Sequence, residues 1–149
     1  MKLFEFLRGN EEAFISQLKR HEGVSKTVYQ CSMNKLTIGF GRNLEDKGIS
    51  DVEAEMLLKN DLEDIRVMLH SKVKVYSSWR LSTVRRAVLE NMAFNLGVTG
   101  LLKFKKMIAA LEARDYDRAA IEMLDSNWAK QVGNRAIELS AQMRTGKWQ

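Results

Sequence analysis

The stretch that decides the fold is HEGVSKTVYQCSMNKLTIGFGR, residues 21–42. Gly23 is typical of the residue that follows a helix, so a helix should end at about Glu22. Residues 27–29 and 36–40 are rich in β-branched and aromatic side chains, which predicts two strands with a turn between them. The chain therefore changes here from a helix to a small antiparallel sheet.

The run TIGFG at residues 37–41 alternates between small or polar residues and apolar residues. A period of two puts Thr37, Gly39 and Gly41 on one face and the apolar Ile38 and Phe40 on the other. A face without bulky side chains beside a threonine is what a substrate groove needs. The alternative is that the glycines only mark bends or bulges. Residues 42–44 predict a third strand.

Helical patterns flank the sheet on both sides. Asn10 is a good N-cap for the helix that ends at Glu22, with a separate amphipathic turn at residues 1–8. Ser50 and Glu53 form a capping box for a long helix that runs to about His70. The remainder predicts helices at about 82–96, 101–113, 116–125 and 135–144, separated by glycines.

This order of elements predicts an α+β fold built as one domain over residues 1–149. Its parts are a small lobe with a short antiparallel sheet (about 11–50), a long interlobe helix (about 51–70) and a mainly helical lobe (about 71–149, with the N-terminal segment). A cleft between two lobes is the usual place for a ligand.

The composition limits where and with what the chain acts. It has 149 residues and a net charge of +5, which attracts polyanions such as nucleic acid, anionic lipid or cell-wall polymer. A single cysteine, Cys31, excludes an internal disulfide and points to synthesis in a reducing compartment. No apolar run is long enough to span a membrane, and the first 14 residues lack the core of a secretory signal. We expect export by another route.

Glu22 is the first candidate for chemistry because it lies at the C-terminal end of its helix. The negative end of the helix dipole favours the protonated carboxyl group, which is the form that a general acid needs. The adjacent Lys19, Arg20 and His21 act in the opposite direction. Taken alone, a glutamate at a helix end is more often a solvated surface residue.

The neighbours of Glu22 give it a context. Glu22-Gly23, Tyr29, Cys31 and the TIGFG run resemble, in order and spacing, the signature of the tailed-phage lysozymes, glycoside hydrolase family 24. In that signature Glu-Gly is followed by Tyr, by Asp or sometimes Cys, and by T-I-G-x-G. The runs at 82–104 and 134–148 are similar to the T-even members of the family, so the resemblance covers about residues 15–148.

The resemblance implies a lysozyme-like fold and a muramidase that cleaves the β-1,4 bond between N-acetylmuramic acid and N-acetylglucosamine in peptidoglycan, with inversion. Glu22 would be the acid, while Cys31 and Thr37 would handle the attacking water. Phe94, Arg135 and Tyr29 would contact substrate. We expect no cofactor, no nucleic-acid partner, no stable membrane insertion and a monomer. The enzyme would be made in the host cytoplasm and act on the periplasmic wall in phage-driven lysis.

The sequence also departs from the family. A free cysteine is mostly a neutral thiol at pH 7, whereas an aspartate is ionised, so Cys31 acts on water as a thiolate, orients it, or merely fills space. Arg42 replaces a common histidine and is expected to pair with Asp61. The segment between Arg42 and Ser50 is shorter than in the T-even enzymes. Met107 and Glu122 replace small or amide side chains at positions that resemble substrate contacts.

The remaining candidates point to structure rather than chemistry. His21 and His70 lack the spacing of metal ligands, so no metal site is predicted. The three tryptophans are expected to anchor the core: Trp79, Trp128 and Trp148. Two other functions stay open, namely a relative that binds the wall without cutting it and a basic helical nucleic-acid binder. The second has no recognisable groove-reading motif.

Overall fold

The computed structural model describes the backbone of residues 2–149 and the side chains from residue 11 onward. Its elements, in chain order, are the helix α1 (Lys2–Glu22), the strands β1 (Ser25–Gln30), β2 (Leu36–Gly39) and β3 (Arg42–Asn43), and the helices α2 (Asp51–Lys72), α3 (Thr83–Leu101), α4 (Lys105–Glu112), α5 (Tyr116–Leu124), α6 (Asn127–Val132) and α7 (Asn134–Thr145). The three strands form one antiparallel sheet in the order β1-β2-β3. The predicted α+β class is confirmed.

The chain divides into two compact units, residues 1–55 and residues 56–149. The first unit contains α1, the sheet and the first turn of α2. The second contains the rest of α2 and the helices α3 to α7. The prediction of one lysozyme domain over residues 1–149 stays a prediction.

Helix α1 is longer at its beginning than predicted and ends where predicted. It runs without interruption from Lys2, so the prediction of Asn10 as N-cap and of a separate turn before it was wrong. The absence of proline lets the backbone hydrogen bonds continue through this segment. At the other end Gly23 has φ +66° and its N–H donates to the Lys19 carbonyl at 3.1 Å. This left-handed cap fixes Glu22 as the last helical residue.

The sheet follows the predicted hairpin, although β1 is longer than predicted and β2 and β3 are each one residue shorter. Tyr29 pairs with Thr37 across β1 and β2, and Ile38 pairs with Arg42 across β2 and β3. Gly39 and Gly41 have φ values of +69° and +81°. Regular alternation therefore ends at Gly39, and both glycines lie at bends of the chain.

Helix α2 begins at the predicted capping box. The Ser50 hydroxyl accepts from the Glu53 N–H at 3.3 Å, and the Glu53 carboxylate accepts from the Ser50 N–H at 2.7 Å. On this helix Ile65 and Leu69 are buried, whereas Leu58 is exposed. The buried residues of α2 therefore lie toward its C-terminal end.

The second unit holds the hydrophobic core. Helix α5 packs on α4 and α7, and α3 packs on α7. The largest fully buried side chains come from five helices, and Val73 follows α2: Leu69, Val73, Val88, Leu89, Met92, Leu101, Met107, Leu111, Met123 and Met143. Long, unbranched methionines fill irregular gaps between helices, which suits a core assembled from several short elements.

The helices of the second unit differ from prediction at three places. Gly97, with φ +74°, kinks α3, and helical turns resume after it to Leu101. Helix α4 begins only at Lys105, because the backbone turns tightly between Gly100 and Phe104. The six-residue α6 was missed; Ser126 caps it by accepting from the Ala129 N–H. So short a helix presents too few residues for an apolar period to stand out.

Only one of the three tryptophans anchors the core. Trp128 is buried, stands edge-on to Phe104 at 6.1 Å between ring centroids, and donates its Nε1–H to Asn95 at 2.9 Å. Trp79 and Trp148 are 84% and 66% exposed, so the prediction was wrong for them. Trp79 lies in the irregular segment before α3, and Trp148 follows the end of α7, where no core remains to receive them.

Candidate active site

The turn between β1 and β2 holds Cys31 and Thr37 together. The Lys35 carbonyl accepts from the Cys31 N–H at 3.0 Å and from the Thr37 hydroxyl, also at 3.0 Å. Asn34 adopts φ +59° and donates its N–H to the Cys31 carbonyl at 2.8 Å, which closes the turn. One carbonyl thus fixes the backbone of the thiol residue and the side chain of the hydroxyl residue.

The Cys31 sulfur lies among hydrogen-bond donors. The backbone N–H of Lys35 contributes most, followed by that of Met33 and by the Thr37 side chain, and together they hold the pKa of the Cys31 thiol below its ordinary value. Donors around a sulfur favour the thiolate, which is the nucleophilic and basic form. The thiol is partly exposed, so solvent reaches it.

The Thr37 hydroxyl has two partners for one proton. It lies in contact with the Cys31 sulfur as well as with the Lys35 carbonyl. When Cys31 is a thiolate, the hydroxyl can donate to sulfur; when Cys31 is a thiol, the S–H can donate to Oγ1 while the hydroxyl donates to the carbonyl. Thr37 is only 3% exposed, which keeps its side chain in place.

Glu22 lies at the edge of the same helix–sheet unit. A Cβ added at Gly41 would be 3.3 Å from Oε2 of Glu22, so the carboxyl group rests against the glycine backbone. Lys19, one turn earlier on α1, places its Nζ 5.6 Å from the centre of the Phe40 ring. Both contacts join the end of α1 to the two residues between β2 and β3.

Arg42 does not pair with Asp61, so that prediction was wrong. Its guanidinium makes a two-fold contact with Glu53, Nη2 to Oε1 at 2.6 Å and Nη1 to Oε2 at 2.9 Å, and Nη1 also donates to the Gly48 carbonyl at 3.1 Å. The planar fork of an arginine matches a carboxylate in this way. Arg42 and the backbone N–H and hydroxyl of Ser50 lower the pKa of Glu53 to about 2.

The two predicted substrate contacts of the second unit share one neighbourhood. Phe94 lies on α3 and is 42% exposed. Arg135, at the start of α7, donates from Nε to the Asn91 side chain at 3.0 Å. Because Asn91 and Phe94 are three residues apart on a helix, they lie on the same face.

The structure also shows the surroundings of Tyr29, Met107 and Glu122. Tyr29 pairs with Thr37 on the neighbouring strand, so the two side chains share a face of the sheet. Met107 is fully buried in the core of the second unit, and Glu122 is mostly buried in an ion pair with Arg118. Met107 therefore packs in the core rather than presenting its side chain to a ligand.

The structure brings together some of the predicted residues and adds others. Cys31 and Thr37 are in contact, Tyr29 is paired with Thr37, and Glu22 meets Gly41 in the same unit. Sequence reasoning missed three partners: Gly41 for Glu22, Glu53 for Arg42, and Asn91 for Arg135. The capping-box role of Glu53 was the available signal, since such a carboxylate is held in one orientation and can accept from a second donor.

Neither a metal cluster nor a membrane span is present among the residues described. No group of three histidine, cysteine, aspartate or glutamate side chains there is arranged to hold a metal ion. In the same part of the chain, every helix is too short or too polar to cross a bilayer.

The first unit thus carries a helix-end carboxyl group, Glu22, and a sulfur–hydroxyl pair, Cys31 and Thr37. The family model for phage lysozyme matches residues 19–144, which include all of these groups. The chain therefore belongs to the phage lysozyme family, and its enzyme class is that of a lysozyme.

Similar proteins carry related names. The chain is 30% identical over 155 residues to the pre-baseplate central spike protein Gp5 of Enterobacteria phage T4, which covers 87% of this chain and 27% of that protein. It is 28% identical to an endolysin of Acyrthosiphon pisum secondary endosymbiont phage 1, over 79% of this chain and 80% of the endolysin. It is 31% identical to the probable T4-type lysozyme 2 of Dictyostelium discoideum, over 87% and 92%. The matched region thus spans about a quarter of the spike protein and most of the other two.

Proposed function

We propose that this chain hydrolyses the β-1,4 bond between N-acetylmuramic acid and N-acetylglucosamine in peptidoglycan, with inversion at the anomeric carbon. Glu22 gives its proton to the oxygen of the leaving sugar. A water molecule attacks the anomeric carbon from the opposite face and passes its proton to the Cys31 thiolate. Thr37 orients that water through its hydroxyl. The products are a new reducing end and a free hydroxyl group.

The observation that carries this proposal is the environment of the Cys31 sulfur. Two backbone N–H groups and a threonine side chain lower the pKa of its thiol. A cysteine that only filled space would need none of these donors. A thiolate in this position supplies the negative charge that an aspartate would supply in the commoner form of the family signature.

Substrate binding is assigned to three further residues. Phe94 offers an exposed ring for apolar contact with a sugar, and Arg135 presents a guanidinium held at Nε by Asn91, which leaves other N–H groups for a ligand. Tyr29, opposite Thr37 in the sheet, adds a phenol beside the water-handling pair. These roles rest on side-chain chemistry and on the family signature.

The biological setting follows from the same reasoning. We assign the chain to bacterial cell lysis by a phage, with synthesis in the host cytoplasm and action on the wall from the periplasm. A monomer suffices, since all the acid and water-handling groups come from one chain. The net charge of +5 favours approach to the anionic wall.

The test replaces the acid and a matched neighbour. Glu22→Gln keeps the size and polarity of the side chain but has no proton of suitable acidity, so clearing of permeabilised Gram-negative cells should fall by at least about 10²-fold. Glu12→Gln changes an exposed glutamate on the same helix and should clear cells at the parent rate. Equal clearing by Glu22→Gln and the parent would overturn the assignment of Glu22.

A second assay separates cutting from binding. Purified peptidoglycan incubated with the parent protein should release new reducing ends, and Glu22→Gln should still bind the wall without releasing them. Retention on peptidoglycan with no reducing-sugar release by the parent would identify a wall-binding relative without hydrolytic activity.

A further inference from the structure

The position of the Glu22 carboxyl group depends on the two residues between β2 and β3. Gly41 has no side chain, and Oε2 of Glu22 rests against its backbone. A Cβ at this position would lie 3.3 Å from that oxygen. Gly41 also has a φ of +81°, which glycine adopts readily and residues with a side chain adopt only with backbone strain. Phe40, the other residue, receives Lys19 of α1 over its ring.

The strand that follows this turn is too short to hold the turn by itself. Strand β3 has two residues, Arg42 and Asn43, and its pairing with β2 consists of two residue pairs. Short ladders of this kind fray, because few backbone hydrogen bonds oppose the conformational entropy of the segment. The Leu44 N–H adds one backbone bond, to the Leu36 carbonyl at 2.8 Å, and side-chain contacts beyond this short ladder would help to fix Gly41.

Arg42 supplies three additional contacts immediately after Gly41. Its guanidinium binds both oxygens of Glu53 and the Gly48 carbonyl. Glu53 is itself held, because its carboxylate accepts from the Ser50 N–H and its own N–H is capped by the Ser50 hydroxyl. The strand end is thereby fastened to the first turn of a long helix.

The geometry points to Arg42 as a positioning residue for the acid. We infer that its contacts with Glu53 and the Gly48 carbonyl hold Gly41 in place, and that Gly41 in turn fixes the carboxyl group of Glu22. This inference rests on the proposed function, in which Glu22 is the proton donor. It gives the Arg42–Glu53 pair a purpose beyond capping α2.

The test uses Arg42→Met, which keeps the length of the stem and removes the fork. We expect kcat on soluble peptidoglycan fragments to fall about tenfold or more, since small misplacements of a catalytic group cost up to about 10²-fold. KM should stay within about twofold, because no proposed substrate contact changes. Glu63→Gln removes the carboxylate of an exposed ion pair with Arg66 on α2 and should match the parent in both constants.

Two further measurements exclude a general loss of structure. The rate of Cys31 alkylation should be the same in Arg42→Met and the parent, because the turn between β1 and β2 does not depend on Arg42. The amide resonance of Gly41 should shift as Glu22 titrates in the parent, and this shift should shrink in Arg42→Met. A lowered kcat with an equally altered Cys31 reactivity, or an unchanged Gly41 titration, would overturn the inference.

The pair can also be tested as a unit. Glu53→Gln keeps an oxygen for Ser50 and for Arg42 but loses the charge, so it should lower kcat less than Arg42→Met does. The double variant should be no worse than Arg42→Met alone, because both changes act through one contact. Independent, multiplying losses would contradict this.

Failure of this inference and failure of the proposed function give different results. Parent-like activity in Glu22→Gln would show that Glu22 is not the acid, and the proposed function would then be wrong. Loss of activity in Glu22→Gln, together with an unchanged kcat in Arg42→Met, overturns only the role of Arg42.

Discussion

At the scale of single residues, the turn around Cys31 changes the behaviour of its thiol. Its pKa is lowered by the N–H of Lys35, by that of Met33 and by the Thr37 side chain. The resemblance to the family signature implies that Glu22, Cys31 and Thr37 belong to one site. The sequence did not reveal the donors around the sulfur, because two of them are backbone groups whose direction depends on the conformation of the turn.

The contribution of Thr37 to the pKa of Cys31 can be measured directly. The rate of iodoacetamide reaction rises with pH as the thiolate forms. For a free thiol the midpoint of this rise lies at about pH 8.5. The parent midpoint should lie lower, and Thr37→Val should raise it because one of the donors is lost. Ser25→Ala, which removes a hydroxyl that donates to the Thr27 carbonyl, should leave it unchanged. A midpoint in Thr37→Val at or below the parent value would contradict this account.

Replacement of Cys31 distinguishes a base from a filler. Cys31→Ser keeps the volume but cannot ionise near neutral pH, so activity should fall by about 10²-fold, the lower range for loss of a general base. Cys31→Asp should retain activity and extend it to lower pH, because a carboxylate ionises near about 4. Initial rates of reducing-sugar release across pH 4–9 provide the measurement. Parent-like rates in Cys31→Ser would return Cys31 to a packing role.

At the scale of elements, local signals predicted what local interactions decide. The Ser50–Glu53 capping box, the end of α1 at Gly23 and the hairpin all occur as expected, since each depends on residues within one turn of each other. The start of α1 and the existence of α6 were not recovered. Asn10 is a good cap in isolation but lies inside a helix that nothing interrupts, and α6 is too short to show a period.

The partner of Arg42 shows the limit of such local signals. Asp61 and Glu53 are both acidic residues of α2, and sequence spacing alone did not separate them. Glu53 lies in the first turn of α2, with its carboxylate already turned toward the start of the helix by Ser50. Its orientation, rather than its charge, selects it.

The Arg42–Glu53 pair predicts how stability depends on pH. The folded protein holds the pKa of Glu53 at about 2 against an ordinary value of 4.5, so the unfolded chain takes up this proton first as the pH falls. The stabilisation is complete above about pH 4.5 and is lost towards pH 2. In urea unfolding, the stability difference between the parent and Glu53→Gln should therefore be largest near pH 6 and should shrink below pH 4.5. A difference that stays constant down to pH 3 would argue against the ion pair.

At the scale of the whole molecule, the stability of the second unit lies in its helical core. Leu89 is fully buried on α3, so Leu89→Ala should lower the free energy of unfolding by about 2–5 kcal/mol. Val52→Ala, at a position that is 72% exposed, should change it by less than about 0.5 kcal/mol. Urea titration followed by circular dichroism measures both. A small effect of Leu89→Ala would mean that this part of the core repacks freely.

The net charge of the molecule makes a further prediction about its encounter with the wall. Attraction between a chain of charge +5 and an anionic polymer is screened by salt over about 10 Å at 0.1 M. Cell clearing should therefore slow as NaCl rises from 20 to 300 mM, while kcat on small neutral fragments stays constant. Equal salt dependence on both substrates would mean that salt slows the chemical step rather than the approach to the wall.

Composition and helix patterns predicted the class of the fold but not the packing of the second unit. Helical periodicity shows that apolar faces exist, and it leaves open which helix each face meets. The prediction that Trp79 and Trp148 are buried failed for this reason, since an aromatic residue outside a helix has no periodic context to place it.

The side chain of Arg85 connects two parts of the second unit that are far apart in the chain. It stacks on Tyr116 at 3.6 Å and donates to the carbonyls of Met143 and Arg144, close to the end of α7. During synthesis on a ribosome, α3 is made long before these carbonyls exist. The helical core can therefore close only after α7 has left the exit tunnel, so the nascent chain must keep its apolar helix faces from aggregating until translation is nearly finished.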